Sequence, residues 1–549
     1  MPGLSSVLSF ASLSVRPALY SLFEDYIVAL PTADLRPALK SILLGLLPAI
    51  EEETSEDFDR AFKIVQSFER KFSGREGKSD LENERSGYFW QCLFLCVITS
   101  PTRRQGALNF LTRQLPKFGV SHEHPYDVHE GVHSGLAGLS PEAEAAVSPE
   151  PGLLIRCFMA GLCDPQVLTQ RGFLDLLVTH LPLHSPVLRD RVAPEDLDRL
   201  VSATLQVLLR REMSLNRRLW AWFLGPSPKG TATDSNPPSP ADTEQESSLA
   251  PGPWLGSQYF EVNGKASLIR CILQMFRAEV TTPSQMARPY RICLSLMDRW
   301  EIGGLLIPPV LLPALENVYA CSLVASPHAL SEVLRSASLF FDGVEASLLW
   351  ACLNSLLRDA RGDLTKDPDR LHMFIWIAEN FNIKDEEMVT VHIPLTTLHL
   401  LGLLNAQEPS LDLVLLQRLV MDIVSLLIES IPSGAVEESD HAVEAREASA
   451  ILDSDWTSNA ITRAVSAFYE DGLRASSRPA MPFAKRALAI MLQRMMSFAA
   501  ARALSERSFE LFCQTVPPLH TLVLTIPCVY SEKSYDLSLI HISEPTRPY

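Results

Sequence analysis

One pentapeptide of this chain has the residue types and spacing of a zinc-hydrolase helix. Residues His129 to His133 read H-E-G-V-H. In H-E-x-x-H sites the two histidines bind zinc and the glutamate activates a metal-bound water. Here a glycine interrupts the motif and no apolar helical stripe surrounds it, so we expect a solvated loop. Adventitious metal binding by His122, His124, His129 and His133 is one alternative, and a zinc metalloprotease is a remote one.

No other pattern of reactive residues predicts catalysis. Residues 225–231 have the glycine spacing of a phosphate-binding loop, but the lysine precedes the second glycine and Thr231 stands where a lysine is required. The ten cysteines include no CxxC pair, which argues against a zinc or disulfide framework and fits a reducing cytosol. The sequence therefore predicts no enzyme, no metal site and no cofactor.

A basic and aromatic segment, residues 210–225, is the candidate contact site. It reads RREMSLNRRLWAWFLG. We single out six of its residues as possible contacts with a partner or a membrane: Arg210, Arg211, Arg217, Arg218, Trp220 and Trp222. Arginines beside tryptophans occur on surfaces that dock on anionic lipid or on proteins. The alternative, which we favour, is a core helix that buries Leu215, Leu219 and Phe223 while its arginines extend to water.

The hydrophobic period around this segment is that of α-helices. One predicted stripe consists of Leu197, Leu200, Val201, Leu205, Leu208 and Leu209. Asp198 lies on the opposite face of the same predicted helix. Pro194, followed by two acidic residues, predicts the start of that helix, because proline and acids suit a first turn. Alternating patterns that would indicate strands are scarce.

A short internal echo suggests that the helices stack as repeats. The sequence VRPAL at Val15–Leu19 returns as LRPAL at Leu35–Leu39, and we expect each proline to begin a helix. A helix that cannot bury its stripe alone must pack on its neighbours. We therefore predict an all-α fold, an elongated α-solenoid of HEAT- or armadillo-like repeats with disordered insertions. A set of irregular helical bundles is the alternative.

Three segments interrupt the helical pattern. Residues 117–152 are rich in glycine, histidine and proline and are predicted to be a loop insertion. Residues 226–256 are poor in apolar residues and are predicted to be a disordered linker insertion. Residues 433–455 are acidic and at best form a surface helix.

The composition of the chain limits the kinds of partner that it can bind. With 549 residues, 47% hydrophobic and 21% charged, it can bury several cores. A formal net charge of −17 argues against sequence-independent nucleic-acid binding. No apolar run reaches the length of about 20 residues of a membrane span, and we expect no transmembrane helix and no secretory signal.

Several long segments, in order along the chain, resemble the N-terminal region of the Dopey family. The resemblance covers about residues 1–305. The matching segments are SFASLSVRPALYSLFEDYIVAL at Ser9–Leu30, YFWQCLFLCVITSPTRRQGALNFLTRQLP at Tyr88–Pro116, LLIRCFMAGLCD at Leu153–Asp164, RGFLDLLVTHLPLHSPVL at Arg171–Leu188, and Arg210–Gly225. The amino-acid sequences of these segments are similar to those of fungal members.

The resemblance implies a function in traffic between endosomes and the Golgi. It implies a non-catalytic scaffold that associates with a large Arf-exchange-factor-like protein and with a phospholipid flippase. Such a protein is cytoplasmic and peripheral on Golgi, trans-Golgi network and endosome membranes. A direct phosphoinositide-binding or anionic-lipid-binding module is the alternative.

The resemblance also suggests how the chain is organised. We expect a Dopey N-terminal-like helical region at 1–305 and further helical repeats of the family's middle region at 306–536. Residues 537–549 read LSLIHISEPTRPY, which resembles the translation of a sequencing adapter, and we expect them to lie outside the natural fold. We also expect the natural protein to extend beyond both ends of this chain.

Overall fold

Every regular element in the described part of the chain is a helix. The structure is a computed structural model, and it describes residues 8, 14–72, 87–119, 139–225, 255–280, 282–359, 361–383, 385–407, 413–432, 457–474, 482–483, 485–505, 513 and 515–521. The antiparallel pairing of Arg358 with Leu364 is an isolated bridge and forms no strand. The predicted all-α fold class is confirmed.

The chain divides into two compact units. The first comprises residues 1–314 and 326–337, and the second comprises 315–325 and 338–549. The helices that lie wholly in the first unit are α1 (Arg16–Leu22), α2 (Thr32–Leu35), α3 (Leu39–Leu46), α4 (Phe58–Phe72), α5 (Tyr88–Thr99), α6 (Arg104–Gln114), α7 (Pro141–Val147), α8 (Gly152–Leu162), α9 (Val167–His180), α10 (Pro194–Leu208), α11 (Met213–Leu224), α12 (Leu255–Asn263), α13 (Lys265–Arg277) and α14 (Pro283–Met297). Two further helices, α15 (Trp300–Val324) and α16 (Pro327–Asp342), contribute residues to both units.

The first unit is built from two layers of stacked helices. In one layer α3, α5, α8, α10 and α13 each pack on the next, and in the other α6, α9, α11 and α12 do the same. Consecutive helices also pair across the layers as α5–α6, α8–α9, α10–α11 and α12–α13. Each hairpin thus buries its apolar stripe against the hairpins on either side, which is the packing of an α-solenoid. The predicted stacking of helical repeats is confirmed.

Proline marks helix starts much as the sequence suggests. Pro194 begins α10, with two acids in the first turn, and Pro17 lies in the first turn of α1. The second copy of the echo differs, because Pro37 lies in a 3₁₀ turn, Arg36–Ala38, between α2 and α3. The fixed φ of proline suits both the first turn of an α-helix and a 3₁₀ turn. The repeated sequence therefore indicates where a helical element begins but not whether it is α or 3₁₀.

The predicted stripe of α10 is correct except that Leu197 is only half-buried and that Leu209 and Asp198 differ from expectation. Leu200, Val201 and Leu205 are fully buried. Leu209, expected in the core, is 38% exposed just after the helix. Asp198, expected on the solvent face, is buried because Arg270 of α13 grips its carboxylate through two hydrogen bonds of 2.9 and 3.0 Å.

Helices also extend into two segments predicted to be irregular. Residues 141–147, inside the predicted loop insertion, form α7, whose Ser140 caps the backbone N–H of Ala143. Helix α7 buries Ala143, Ala146 and Val147 and packs on α5 and α8. Leu255, inside the predicted linker insertion, begins α12. Residues 226–254 and the acidic segment at 433–455 lie outside the described residues.

One glycine permits a close approach within a hairpin. A Cβ atom on Gly161 of α8 would collide with the ring of Phe173 of α9. Phe173 is fully buried and meets Phe158 edge-on, with ring centroids 5.9 Å apart. The missing side chain therefore lets these helices bring an aromatic pair into the core.

The second unit is organised around one helix that is buried on all sides. Its helices are α17 (Ala346–Leu356), α18 (Pro368–Asn380), α19 (Ile393–Ala406), α20 (Leu413–Ile428), α21 (Ser458–Arg474) and α22 (Lys485–Ser505). Helix α19 packs against α20, α21 and α22, and all residues from Ile393 to Leu404 are buried. A helix that is apolar around its whole circumference requires such surroundings.

Candidate functional site

Helix α11, which carries the basic and aromatic segment, buries both of its tryptophans. Trp222 is 1% exposed and its indole Nε1 donates a hydrogen bond of 2.9 Å to the carbonyl of Leu181. Trp220 is 4% exposed, and the guanidinium of Arg299 lies 5.2 Å from its ring centroid. Neither indole is available to a partner or a membrane, which corrects the inclusion of these two residues among the candidate contacts.

Polar contacts fix the register of α11 on α9. Arg171 donates to the hydroxyl of Ser214 at 3.0 Å, and Arg218 Nε donates to Asp175 Oδ1 at 2.6 Å. Both pairs are 43 residues apart in sequence, so the two helices run side by side with a constant offset. Arg218 thus acts as a link between neighbouring hairpins. The carbonyl of Pro165, just before α9, accepts a hydrogen bond from Arg210, which places the start of α9, with the exposed Leu168, beside the α10–α11 turn.

The turns of three successive hairpins are joined at one edge of the first unit. Arg104, which begins α6, places its Nη1 2.9 Å from Asp164 Oδ2 in the α8–α9 turn. Arg210, in the α10–α11 turn, donates to the carbonyls of Asp164 and Pro165 at 3.2 and 2.9 Å. Asp164 is therefore held from both sides, and the three turns form a continuous edge.

An apolar and basic surface, which we call the turn-edge patch, lies on this edge. It consists of Leu168, Leu209, Arg210, Arg211, Met213 and Arg217. Leu168 is 68% exposed and Met213 is 51% exposed. The three arginines are also exposed, with Arg210 and Arg211 in the α10–α11 turn and Arg217 in the second turn of α11. Large apolar side chains beside cations at an exposed edge are a chemistry suited to docking.

Two properties of the arginines distinguish this patch from an ordinary charged surface. Within the described ranges, no carboxylate forms a salt bridge with Arg211 or Arg217, although acidic residues outnumber basic ones in the chain. Arg211 also has a φ of +57°, a left-handed conformation that costs a non-glycine residue of order 1 kcal/mol. The turn thus holds Arg211 in a strained backbone conformation, and none of the described carboxylates forms an ion pair with it.

Sequence reasoning found the arginines of the patch but missed its apolar residues. The helical period of α10 predicts that Leu209 is buried, and it does not include Leu168 or Met213. The position of these residues at helix ends could have indicated that they are exposed. Leu168 and Met213 lie in the first turns of their helices, and Leu209 follows the last turn of α10. Apolar residues at helix ends beside arginine fall outside a helical stripe.

The catalytic candidates receive no structural support. The H-E-G-V-H motif and residues 226–231 of the phosphate-loop-like segment lie outside the described residues. Among the residues that the structure describes, no group of three or more His, Cys, Asp or Glu side chains could hold a metal ion. Burial raises the pKa of Cys96 and of Cys293 to about 12, so these thiols stay protonated and are poor nucleophiles.

A buried polar cluster lies beneath α19 in the second unit. Asn354 of α17 donates to Thr396 Oγ1 at 2.8 Å, and its Oδ1 lies 2.9 Å from His399 Nδ1. Burial, with a smaller contribution from Arg358, lowers the pKa of His399 from 6.5 to about 3. The neutral imidazole donates to Asn354 and the cluster ties α17 to α19, which is a structural role.

Among the described residues, two helices are long and apolar enough, by length and composition, to cross a membrane. The expectation of no transmembrane helix stays a prediction. The two helices are Trp300–Val324, with 44% of its most apolar window buried, and Met388–Ala406, with 78% buried. The bent pair α16 and α17, with an angle of 118°, would make a third if counted as one span. The expectation from the sequence rested on uninterrupted apolar runs, whereas helix α15 continues through Pro308, Pro309 and Pro313. The second of these helices, Met388–Ala406, contains α19. Its apolar composition also suits its burial among α20, α21 and α22.

Family models cover most of the chain. The model of the Dopey N-terminal region matches residues 1–228, and that of the DOP1 middle TPR domain matches residues 259–469. The gap between them nearly coincides with residues 226–254. The predicted boundary at 305/306 is not tested by these matches and stays a prediction.

Curated relatives agree with the family models. Protein dop1 of Emericella nidulans is 40% identical over 519 residues, which are 89% of this chain and 27% of the relative. Protein DOP1 of Saccharomyces cerevisiae is 29% identical over 464 residues, 80% of this chain and 25% of the relative. Protein DOP1B of Mus musculus is 26% identical over 379 residues, 63% of this chain and 15% of the relative. The chain thus spans about a quarter or less of these relatives, and no solved structure matches it.

Proposed function

The chain belongs to the Dopey family, and from that premise we propose that it is part of a non-catalytic scaffold in vesicle-mediated protein transport between endosomes and the Golgi. The scaffold works by docking proteins at the membrane surface. Its partners are a large Arf-exchange-factor-like protein and a phospholipid flippase. It is cytoplasmic and peripheral on Golgi, trans-Golgi network and endosome membranes.

The observation that carries this proposal is the stacked-hairpin architecture of the first unit. Two layers of helices present a long series of helix faces and turns, while their cores are filled with apolar side chains. Surfaces of this type bind extended protein partners. The exposed side chains of the turn-edge patch are apolar residues and arginines, which suit docking on a partner and not bond cleavage.

One small cavity lies among the described residues of the second unit. It is bordered by Asn405, Gln417, Arg502 and Thr515, and has space for about one water molecule. Such a void is too small for a metabolite, since ligand pockets occupy several hundred cubic ångströms.

Localisation in cells tests the proposal. The fluorescently tagged protein, expressed at its natural level in a fungus, is imaged beside Golgi and endosome markers and fractionated by high-salt or carbonate washing. We expect overlap with both markers and release from membranes by the wash. A uniformly cytosolic signal, or resistance to both washes, would contradict a peripheral transport scaffold.

Direct binding to anionic lipid is the second candidate function, and the arginines of the turn-edge patch favour it. Flotation of the purified chain with vesicles that contain phosphoinositide or phosphatidylserine tests it without any partner. Flotation that depends on anionic lipid would support lipid binding. No flotation with any vesicle would leave docking on proteins as the route to the membrane.

A further inference from the structure

We infer that the turn-edge patch is a docking site for an acidic, leucine-containing segment of a partner protein. This inference rests on the proposed scaffold function and names the chemistry of one partner. It departs from the sequence-based candidate site because the two tryptophans are core residues. The contact surface is formed instead by Leu168, Leu209 and Met213 with the arginines around them.

Charge complementarity selects an acidic partner. The chain has a formal net charge of −17, so a positive patch is a local exception that an acidic segment can find by electrostatic steering. Arg211 and Arg217 have no carboxylate within salt-bridge distance in the described part of the first unit. Arg218, one residue further on, is already bound to Asp175 and serves the fold.

The apolar residues require a partner that also carries apolar side chains. Leu168 and Met213 are 68% and 51% exposed, and Leu209 is 38% exposed. The register of α9 on α11 places the exposed start of α9 beside the α10–α11 turn. Leucines on a partner segment would cover these side chains while its acidic residues meet the guanidinium groups.

The rigidity and size of the patch fit a short segment. Arg210 is anchored by the carbonyls of Asp164 and Pro165, and Asp164 is in turn fixed by the buried Arg104. The turn is therefore organised before any partner arrives, which lowers the entropic cost of binding. A surface of about six side chains is small for a globular interface, but it suits an amphipathic segment that uses few anchors.

Fluorescence anisotropy with a defined probe tests the inference. The probe is a fluorescein-labelled peptide with two leucines one helical turn apart, flanked by glutamates, and the neutral control replaces each glutamate with glutamine. We expect the purified full chain to bind the acidic probe. We expect the Arg211→Glu/Arg217→Glu variant to bind about tenfold or more weakly, and Leu168→Ser/Met213→Ser to lose a similar part of the affinity, ~1.4 kcal/mol.

A matched control variant separates local from global charge. Arg156→Glu/Arg189→Glu makes the same change of charge at exposed arginines outside the patch, and should bind the probe like the wild type. Equal binding by the two charge-reversal variants, equal binding of the acidic and neutral probes, or no binding of either, would overturn the inference. Circular dichroism and thermal midpoints verify that each variant is folded.

Further outcomes separate this inference from the proposed function. If the wild-type chain binds vesicles with phosphatidylserine through Arg211 and Arg217 but does not bind the acidic probe, the occupant is a membrane and the inference is wrong. If the Arg211→Glu/Arg217→Glu variant still co-purifies with all transport partners of the wild type, the scaffold function stands and the patch is not its docking site.

Discussion

Arg104 and Asp164 form a buried ion pair across sixty residues of sequence, with Nη1 and Oδ2 2.9 Å apart. Both side chains are at most 11% exposed. Arg104 also donates from Nε to the carbonyl of Val97, and Asp164 accepts from the backbone of Gln166. The pair therefore joins the start of α6 to the α8–α9 turn, two of whose carbonyls accept hydrogen bonds from Arg210 of the turn-edge patch.

Breaking this ion pair is expected to destabilise the first unit strongly. Arg104→Ala leaves Asp164 as a buried charge without its partner, which costs about 3–5 kcal/mol. Urea unfolding followed by circular dichroism measures the loss. Arg199→Ala, which breaks the exposed Arg199–Asp196 pair, is the control and should change stability by at most about 1 kcal/mol. Equal effects of the two substitutions would show that Arg104 and Asp164 are not a buried pair.

The position of Trp222 in the core predicts an asymmetry along α11. Trp222→Ala removes a buried ring and the donor to Leu181, at a cost of about 3–5 kcal/mol. Arg217→Ala, five residues earlier on the same helix, removes an exposed side chain and should stay within about 0.5 kcal/mol. Thermal unfolding of both variants checks this prediction. If the Trp222→Ala protein is as stable as wild type, Trp222 is not a core residue.

The two-layer packing predicts opposite effects for two glycines. Gly161→Ala forces a methyl group into the ring of Phe173, and overpacking of this kind costs about 1–3 kcal/mol. Gly304→Ala in α15 meets no atom within 4 Å, and should stabilise its helix by about 0.5–1 kcal/mol. Both are measured by denaturant midpoints. The account of the α8–α9 hairpin fails if Gly161→Ala is neutral.

Acid should weaken the second unit through His399. Its pKa is lowered from 6.5 to about 3, because burial first and Arg358 second disfavour the charged imidazole. A histidine with a depressed pKa in the fold contributes stability that is complete above the unfolded pKa and is lost as the pH falls toward the folded pKa. The free energy of unfolding should therefore decline from about pH 6.5 toward pH 3.

Comparison of variants isolates this contribution from that of the carboxylates. His399→Gln should be less stable than wild type at neutral pH, and the difference should shrink as the pH falls through this window. His372→Gln, at an exposed position of α18, serves as the control and should follow the wild-type curve. A difference between wild type and His399→Gln that does not change with pH would exclude the buried neutral imidazole.

The sequence predicts helices better than it predicts their contacts. The period of Leu200, Val201 and Leu205 is sufficient to locate α10 and its buried face, because helix formation and stripe burial are local. The burial of Asp198 depends on Arg270, 72 residues later, and no local pattern contains that partner. Helix α19 is apolar on all faces, so it has no period to detect and resembles a membrane span in composition.

The candidate site shows the same division. The sequence shows a run of arginines, but it does not show which of them form ion pairs within the fold. Arg218 binds Asp175, whereas Arg217 faces solvent. The side on which Trp220 and Trp222 pack is decided by Leu181 and Arg299, which lie in other hairpins. Only the stacked arrangement of α9 and α11 brings Leu168 level with the α10–α11 turn.

Affinity purification of the tagged full-length protein from growing cells, with quantitative mass spectrometry, tests the scaffold function most directly. The account predicts that a large Arf-exchange-factor-like protein is enriched with the wild type, and that recovery of at least one transport protein falls with Arg211→Glu/Arg217→Glu but not with Arg156→Glu/Arg189→Glu. Recovery of no transport protein by a folded, normally expressed bait would contradict the account.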